Sequence, residues 1–263
     1  MFYYSRRLKF IFGSVLSFFT VFLLFRLAFV WVFISGMAGT PSELIRAFWI
    51  GMRFDLRLAC FILLPLGLAL MVPIFNPMTH FLLRKIARIY LCLAAVVIIF
   101  LYAFDFGNYA YLDHRLDISS FKLLENPLIA LNMAWESYPM GGMLIGLAII
   151  IGCTWSGIKR AFRFLDDRPN LFRFRHKIFG FAMGGVIFLF AMWGTFRQYR
   201  LLWSDAYFSE DPFIVAAGLN PILYFNETRS FVLEDFNEVK TREYYDLMIE
   251  ELGVKQPDSK RLS

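Results

Sequence analysis

Long apolar runs separated by short charged clusters organise this chain from end to end. Crossing the hydrocarbon core of a bilayer takes about 20 residues of helix, and five windows qualify: residues 8–34, 58–75, 86–104, 140–158 and 178–196. Arg26 is the charge that interrupts the interior of the first. Pro65 and Pro73 in the second predict a kink, which a bundle tolerates where neighbours satisfy the freed carbonyls. No segment alternates polar and apolar positions over the length a membrane barrel requires. The pattern therefore predicts an all-α membrane protein. Residues 1–200 form a five-helix transmembrane bundle, and 201–263 form exported juxtamembrane helices and a linker.

Three polar-apolar stretches between and after the spans predict amphipathic helices. In the long connection 106–139, Ser119 and Ser120 offer an N-cap ahead of Phe121, Leu124, Leu128, Leu131 and Trp135 at helical spacing, which suits a helix lying in the membrane interface. Residues 206–225 mix Phe208, Phe213, Ile214, Leu219 and Leu223 with Asp205, Glu210 and Asp211 beside them. They predict a second surface-lying segment, with Pro212 placed for a helix start. Residues 239–254 carry Tyr244, Tyr245, Leu247, Met248 and Leu252 on a charged background, and Gly253 can terminate that helix. The stretch 255–263 is polar and has the character of a linker.

Composition agrees with the periodicity. Of 263 residues 59% are hydrophobic and 32 are Phe, and the mean hydropathy is +0.56; a water-soluble domain of this length carries more charge. The net charge of +6 sits between the apolar runs, so it argues for membrane topology and against nucleic acid as a partner. Cys60, Cys92 and Cys153 fall inside apolar stretches without metal-ligand spacing and are expected to be neither disulfides nor metal ligands. Residues 1–9 resemble the charged start of a signal peptide, but the apolar run behind them is too long for one, which predicts a retained signal-anchor helix.

Charge asymmetry orients the spans. One side holds Arg6, Arg7 and Lys9, then Arg84, Lys85 and Arg88, then the basic connection 159–177. The other holds Arg46, Arg53 and Arg57, then a connection that is acidic through Asp105, Asp113, Asp117, Glu125 and Glu136. The positive-inside rule puts the N-terminus in the cytoplasm. Five crossings then export the C-terminus.

Four short stretches carry a family resemblance. Gly51-Met52-Arg53-Phe54-Asp55-Leu56-Arg57, at the start of the second span, resembles the G-x-R-F-D-L signature of lipoteichoic acid synthase-like proteins. Phe104-Asp105-Phe106-Gly107-Asn108-Tyr109 follows the third span, and Asp205-Ala206-Tyr207-Phe208 with Ala217-Gly218-Leu219-Asn220-Pro221 follows the fifth. Tyr244-Tyr245 precedes Leu252-Gly253-Val254. Together, on an N-inside five-span layout, they resemble the transmembrane module of phosphoglycerol transferases in the alkaline phosphatase and sulfatase superfamily. What the resemblance implies is a multi-pass protein of a bacterial cytoplasmic (inner) membrane with a periplasmic or extracellular C-terminus. It would precede a catalytic domain that, in such relatives, moves a phosphoglycerol or phosphoethanolamine unit using a threonine nucleophile and a divalent metal (Mn or Mg). This sequence has no stretch matching that nucleophile or its Asp/His ligand set. It is therefore expected to supply no catalytic residue, no metal site and no cofactor of its own, and to take membrane phospholipid (phosphatidylglycerol or phosphatidylethanolamine) and a sulfatase-like catalytic domain as partners. A stand-alone non-catalytic partner or regulatory subunit is the alternative. A small transporter fits less well, for want of an inverted repeat and of paired charges at mid-membrane.

The ionisable residues beside the outer face are the functional candidates. Arg53 and Arg57 lie four apart on one helical face, and guanidinium groups bind phosphate bidentately. With Asp55 or Asp105 steadying them, they would form a lipid-phosphate site; the competing reading has them snorkel or hold helices together. Arg26 lies about two thirds of the way along the first span, where an unpaired charge costs several kcal/mol. It is expected to be a structural charge paired with Asp55 or Asp105. Gly141, Gly142, Gly146, Gly184 and Gly185 are small residues suited to close helix packing.

Overall fold

In the computed structural model the described residues are 6–71, 77, 80–118, 140–166, 174–195, 198–228, 242, 244 and 245. Their regular structure is entirely helical. In chain order they form α1 (Arg6–Phe33), α2 (Pro41–Met71), α3 (Phe81–Leu112), α4 (Met140–Asp166), α5 (Phe174–Trp193), α6 (Pro212–Gly218) and α7 (Pro221–Thr228), with 3-10 turns at Ile34–Gly36 and Trp203–Ala206. The segments Leu8–Gly36, Phe81–Leu112 and Leu144–Arg163 are long and apolar enough to cross a membrane, and Met183–Trp193 is a shorter apolar helix. The described residues are thus all-helical, with three segments long and apolar enough to cross a membrane. The interfacial helix expected over 119–135 lies outside the described residues, as does most of 239–254; Arg242, Tyr244 and Tyr245 there are helical.

One face of α1 makes the core. Phe18, Phe22, Phe25, Phe29 and Phe33 recur every three or four residues and are buried, so they form one stripe along the helix. The stripe meets α3, where the ring of Phe25 stacks on Tyr102 at 4.4 Å and Phe29 meets Tyr109 edge-on at 4.7 Å. Helix α1 also packs on α4 and α2, α2 packs on α5 and α6, and α3 packs on α4 and α7. Of the small residues, Gly184 lies against Leu8, whereas Gly141, Gly146 and Gly185 have open space where a side chain would go. Gly157 also faces Ser17 of α1 closely.

Helix α2 begins well before the apolar window that predicts a span. Thr40 and Glu43 cap it reciprocally: Thr40 N–H donates to Glu43 Oε2 at 2.8 Å and the Glu43 N–H donates to Thr40 Oγ1 at 3.4 Å. The backbone and hydroxyl hydrogen bonds from Thr40 hold the Glu43 carboxyl below its ordinary pKa. The helix then runs through Pro65 without interruption. In the turn before that proline the Tyr90 hydroxyl of α3 donates to the Ile62 carbonyl at 2.8 Å, a neighbour serving backbone that the proline disturbs.

Residues 206–225 depart most from the sequence expectation. Residues 213–221 do not lie on the surface, although Tyr207, Glu210 and Pro212 are exposed. Phe213 to Gly218 of α6 are all buried, Ile214 and Ala217 completely. The reason is electrostatic as much as apolar: two buried arginines donate to the C-terminal carbonyls of α6, so these carbonyls are satisfied within the protein.

Candidate functional site

Two arginine–aspartate pairs sit at the end of the bundle that carries the α1–α2 turn. Arg26 of α1 holds Asp55 of α2 bidentately, with Nε to Oδ2 and Nη2 to Oδ1 both at 2.8 Å. Its remaining Nη1 donates to the carbonyls of Ala217 and Leu219 at the end of α6. Arg115 repeats the arrangement. It pairs with Asp105 of α3 and donates through Nε to the Ala216 carbonyl at 2.8 Å, while its guanidinium lies 3.6 Å over the ring of Phe29. Cations at a helix C-terminus answer the negative end of the helix dipole as well as the unpaired carbonyls. Asn220 ties the first pair to α3 and α7: its Nδ2 donates to Asp55 Oδ1 and to the Tyr102 hydroxyl, and its Oδ1 accepts from Ile222 and Leu223 N–H at the start of α7.

This network explains the residue types in the Gly51–Arg57 stretch. Gly51 and Asp55 are one helical turn apart on the face toward α1. A Cβ at Gly51 would collide with the Arg26 guanidinium, so the glycine is the floor on which the arginine lies and Asp55 is its wall. Asp211 fastens the other end of α6. Its carboxylate accepts from Phe213 N–H at 2.8 Å as an N-cap and from Ala38 and Gly39 N–H, at 2.7 and 2.6 Å, in the α1–α2 turn. Burial works against the charged form, but these hydrogen bonds and one from Ile214 N–H outweigh it and hold the carboxyl below its ordinary pKa.

The proposed partnership of Arg53 and Arg57 with Asp55 or Asp105 is corrected by this geometry. Asp55 points to Arg26 and Asn220, Asp105 to Arg115 and the Leu116 N–H; neither reaches Arg53 or Arg57. A buried carboxylate settles on the cation that can also satisfy nearby backbone, and Arg26 and Arg115 do both. The two candidate arginines also separate from each other. Arg57 is buried, donates Nη1 to the Leu201 carbonyl at 2.6 Å and lies over Phe61. Arg53 lies over Trp49 and lines a different cavity, of about 430 Å3, together with Arg46, Arg200, Tyr199 and Asp205.

That cavity forms because the chain after α5 folds back on α2. Gly194 adopts φ +77°, a conformation open to glycine, and Leu201 packs over it closely enough that a side chain there would crowd it. The Leu201 N–H then returns to the Trp193 carbonyl, and Arg200 is delivered beside Arg53. Among the described residues none of Arg46, Arg53 and Arg200 is ion-paired. The single carboxylate in the lining, Asp205, accepts from the Leu202 N–H at 2.8 Å. Trp49 and Tyr199 are strongly exposed at the same place. Among the described residues no three His, Cys, Asp or Glu side chains converge as metal ligands; of the buried carboxylates, Asp55 and Asp105 are held by arginine and Asp211 by backbone N–H groups, so these residues do not fit a divalent cation. Sequence reasoning missed Arg115, Arg200 and Asn220; each is polar beside apolar residues, but none has a local partner that would single it out.

Fold and site together define a helical membrane protein with a cationic, aromatic-rimmed cavity and a separate buried ionic lock. No family model, curated protein or solved structure matches the chain.

Proposed function

We propose that this chain is a five-span, N-inside membrane module that holds a phosphate-bearing lipid head group at the outer leaflet for a sulfatase-type phosphoglycerol or phosphoethanolamine transfer. The reading rests on the resemblance carried by the Gly51–Arg57 stretch for the reaction class, and on one observation for the ligand. Arg46, Arg53 and Arg200 converge on a cavity of about 430 Å3 without an ion pair among the described residues. Phosphate oxygens match guanidinium donors in geometry and charge, and the exposed rings of Trp49 and Tyr199 suit the membrane–water interface, where amphipathic aromatics concentrate. The residues of the lock act as positioning groups: they fix α2 and the segment after α5, and so the spacing of the arginines. No catalytic role falls to any residue described.

The test is lipid retention by native mass spectrometry. Wild-type protein in mild detergent should retain anionic phospholipid, and Arg46→Ala/Arg53→Ala/Arg200→Ala should lose it by about tenfold, the effect of some 1.4 kcal/mol. Equal retention in the triple variant overturns the head-group site. The topology has its own test. A tag after Ser263 should be cut by protease added to intact spheroplasts, and protection until lysis would overturn five crossings.

A further inference from the structure

The arginines of the larger cavity are held in place without spending their donors. Arg46 lies 4.2 Å from the centre of the Phe208 ring, and Arg53 lies 5.4 Å from that of Trp49. A guanidinium over a ring uses its face, so the N–H groups around its edge stay free to donate. Arg200 is placed by its backbone instead. The Leu201 N–H donates to the Trp193 carbonyl at 3.2 Å, and the Leu201 carbonyl accepts from Arg57 Nη1 at 2.6 Å. The Thr195 hydroxyl donates to the Tyr199 carbonyl at 2.7 Å and closes the turn. Among the described residues no hydrogen bond or ion pair occupies the guanidinium of Arg46, Arg53 or Arg200.

The cavity they share, of about 430 Å3, gathers three guanidinium charges against one carboxylate, Asp205. Glu227 lines a neighbouring cavity of about 160 Å3, together with Arg57 and Arg200, and not this one. Two positive charges are therefore left over. Like charges held together repel, and a ligand relieves the repulsion in proportion to the charge it brings. A phosphodiester brings one negative charge and leaves a guanidinium without a counterion. We propose that the preferred occupant is a lipid head group with at least two negative phosphate charges, a diphosphate ester or a bis-phosphodiester. The proposal rests on the head-group reading of this cavity and adds the charge of the occupant. A singly charged phosphoglycerol lipid and a zwitterionic phosphoethanolamine lipid are then the weaker ligands, so the cavity serves a lipid other than the donor of the transfer.

The experiment equilibrates the protein in mild detergent with phosphatidylglycerol and an equal amount of a doubly charged competitor. Cardiolipin serves in one series and farnesyl diphosphate in the other, and native mass spectrometry reads the bound ratios. Wild type should favour at least one competitor by about tenfold, the effect of one further charge pair near a protein surface. Arg200→Gln lowers the charge surplus to one and should bring that ratio to about one. Asp205→Asn keeps an acceptor for the Leu202 N–H, removes the opposing charge and should raise the ratio. Lys85→Gln removes an exposed charge of α3 outside the cavity and should leave the ratio as in wild type. An even ratio in wild type with both competitors overturns the proposal. So does a preference that survives Arg200→Gln, falls in Asp205→Asn, or falls in Lys85→Gln as far as in Arg200→Gln. Failure here is distinct from failure of the head-group reading. Lipid that is lost in the triple arginine variant, yet shows no charge preference in wild type, ends this proposal alone; total lipid unchanged in that variant ends both. Inorganic diphosphate separates the sources of the ligand: Arg200-dependent displacement of bound lipid supports the assigned charge with a soluble occupant, and an Arg200-dependent preference without displacement supports it with a lipid.

Discussion

Removing Arg26 should damage this protein far more than removing any surface arginine, and the damage should be partly repaired by removing Asp55 as well. The side chain makes two 2.8 Å hydrogen bonds to Asp55 and donates to the carbonyls of Ala217 and Leu219, all in a region closed to solvent. Arg26→Met keeps the apolar stem but strands a buried carboxylate, for which the usual cost is about 3–5 kcal/mol. For a chain of this size that corresponds to a fall in melting temperature on the order of 10 °C. Asp55→Leu strands the arginine instead, though the α6 carbonyls still accept from it, so its cost should be smaller. The double variant buries no uncompensated charge from this pair. Its loss should fall short of the sum of the singles by about 2 kcal/mol or more. Unfolding in mild detergent titrated with dodecyl sulfate, followed by tryptophan fluorescence, supplies the three free energies. Additivity within about 0.5 kcal/mol would mean that the pair contributes nothing as a pair, and the account of how α6 is held would fail with it.

Three further outcomes follow from neighbouring geometry. Gly51→Ala should destabilise because its methyl meets the Arg26 guanidinium, whereas Gly107→Ala, with nothing near it, should be neutral or stabilising by about 0.5–1 kcal/mol; the same unfolding assay separates them. Asp211→Ala should cost about 1 kcal/mol through the lost α6 cap, with faster hydrogen exchange at Ala38 and Gly39. The folded Asp211 carboxyl has a depressed pKa, so its stabilisation is complete above the ordinary aspartate value of about 3.9 and is lost as pH falls through the lower folded value. The stability gap between wild type and Asp211→Asn should therefore narrow as pH drops below about 4, and a gap that widens there would contradict the assignment.

How far the sequence can be read varies with the range of the interaction. The apolar windows of α1, α3 and α4 depend on local composition, and hydropathy alone marks them as membrane-length segments. Arg26 also announces itself, because a lone charge in an apolar run demands a partner, and only a few carboxylates stand at a comparable depth. Residues 206–225 are illegible by the same logic. Their mixture of Phe, Ile, Asp and Glu has the pattern of an interfacial helix, and what lets 213–221 be buried is the donation from Arg26 and Arg115, both of them far away in sequence. Arg53 and Arg57 share a helical face, which predicts neighbouring side chains, yet the fold-back at Gly194 inserts Leu201 and divides them between two cavities. Arg200 gains its role from that same fold-back. A positive φ at one glycine leaves no trace in hydropathy.

The hydrogen bond from Arg26 to Ala217 spans 191 positions, whereas the one to Asp55 spans 29. During synthesis at about 5–20 residues per second, the arginine therefore waits roughly 10–40 s for its final acceptors after it has been made. Asp55 arrives within a few seconds, so the first two helices can leave the translocon as a hairpin in which the Arg26 charge is already paired, and the late segment completes a contact already half formed. The lock thus doubles as a checkpoint of assembly: a chain arrested before Pro212 should keep the hairpin, but leave the arginine with a free donor for quality-control factors to find.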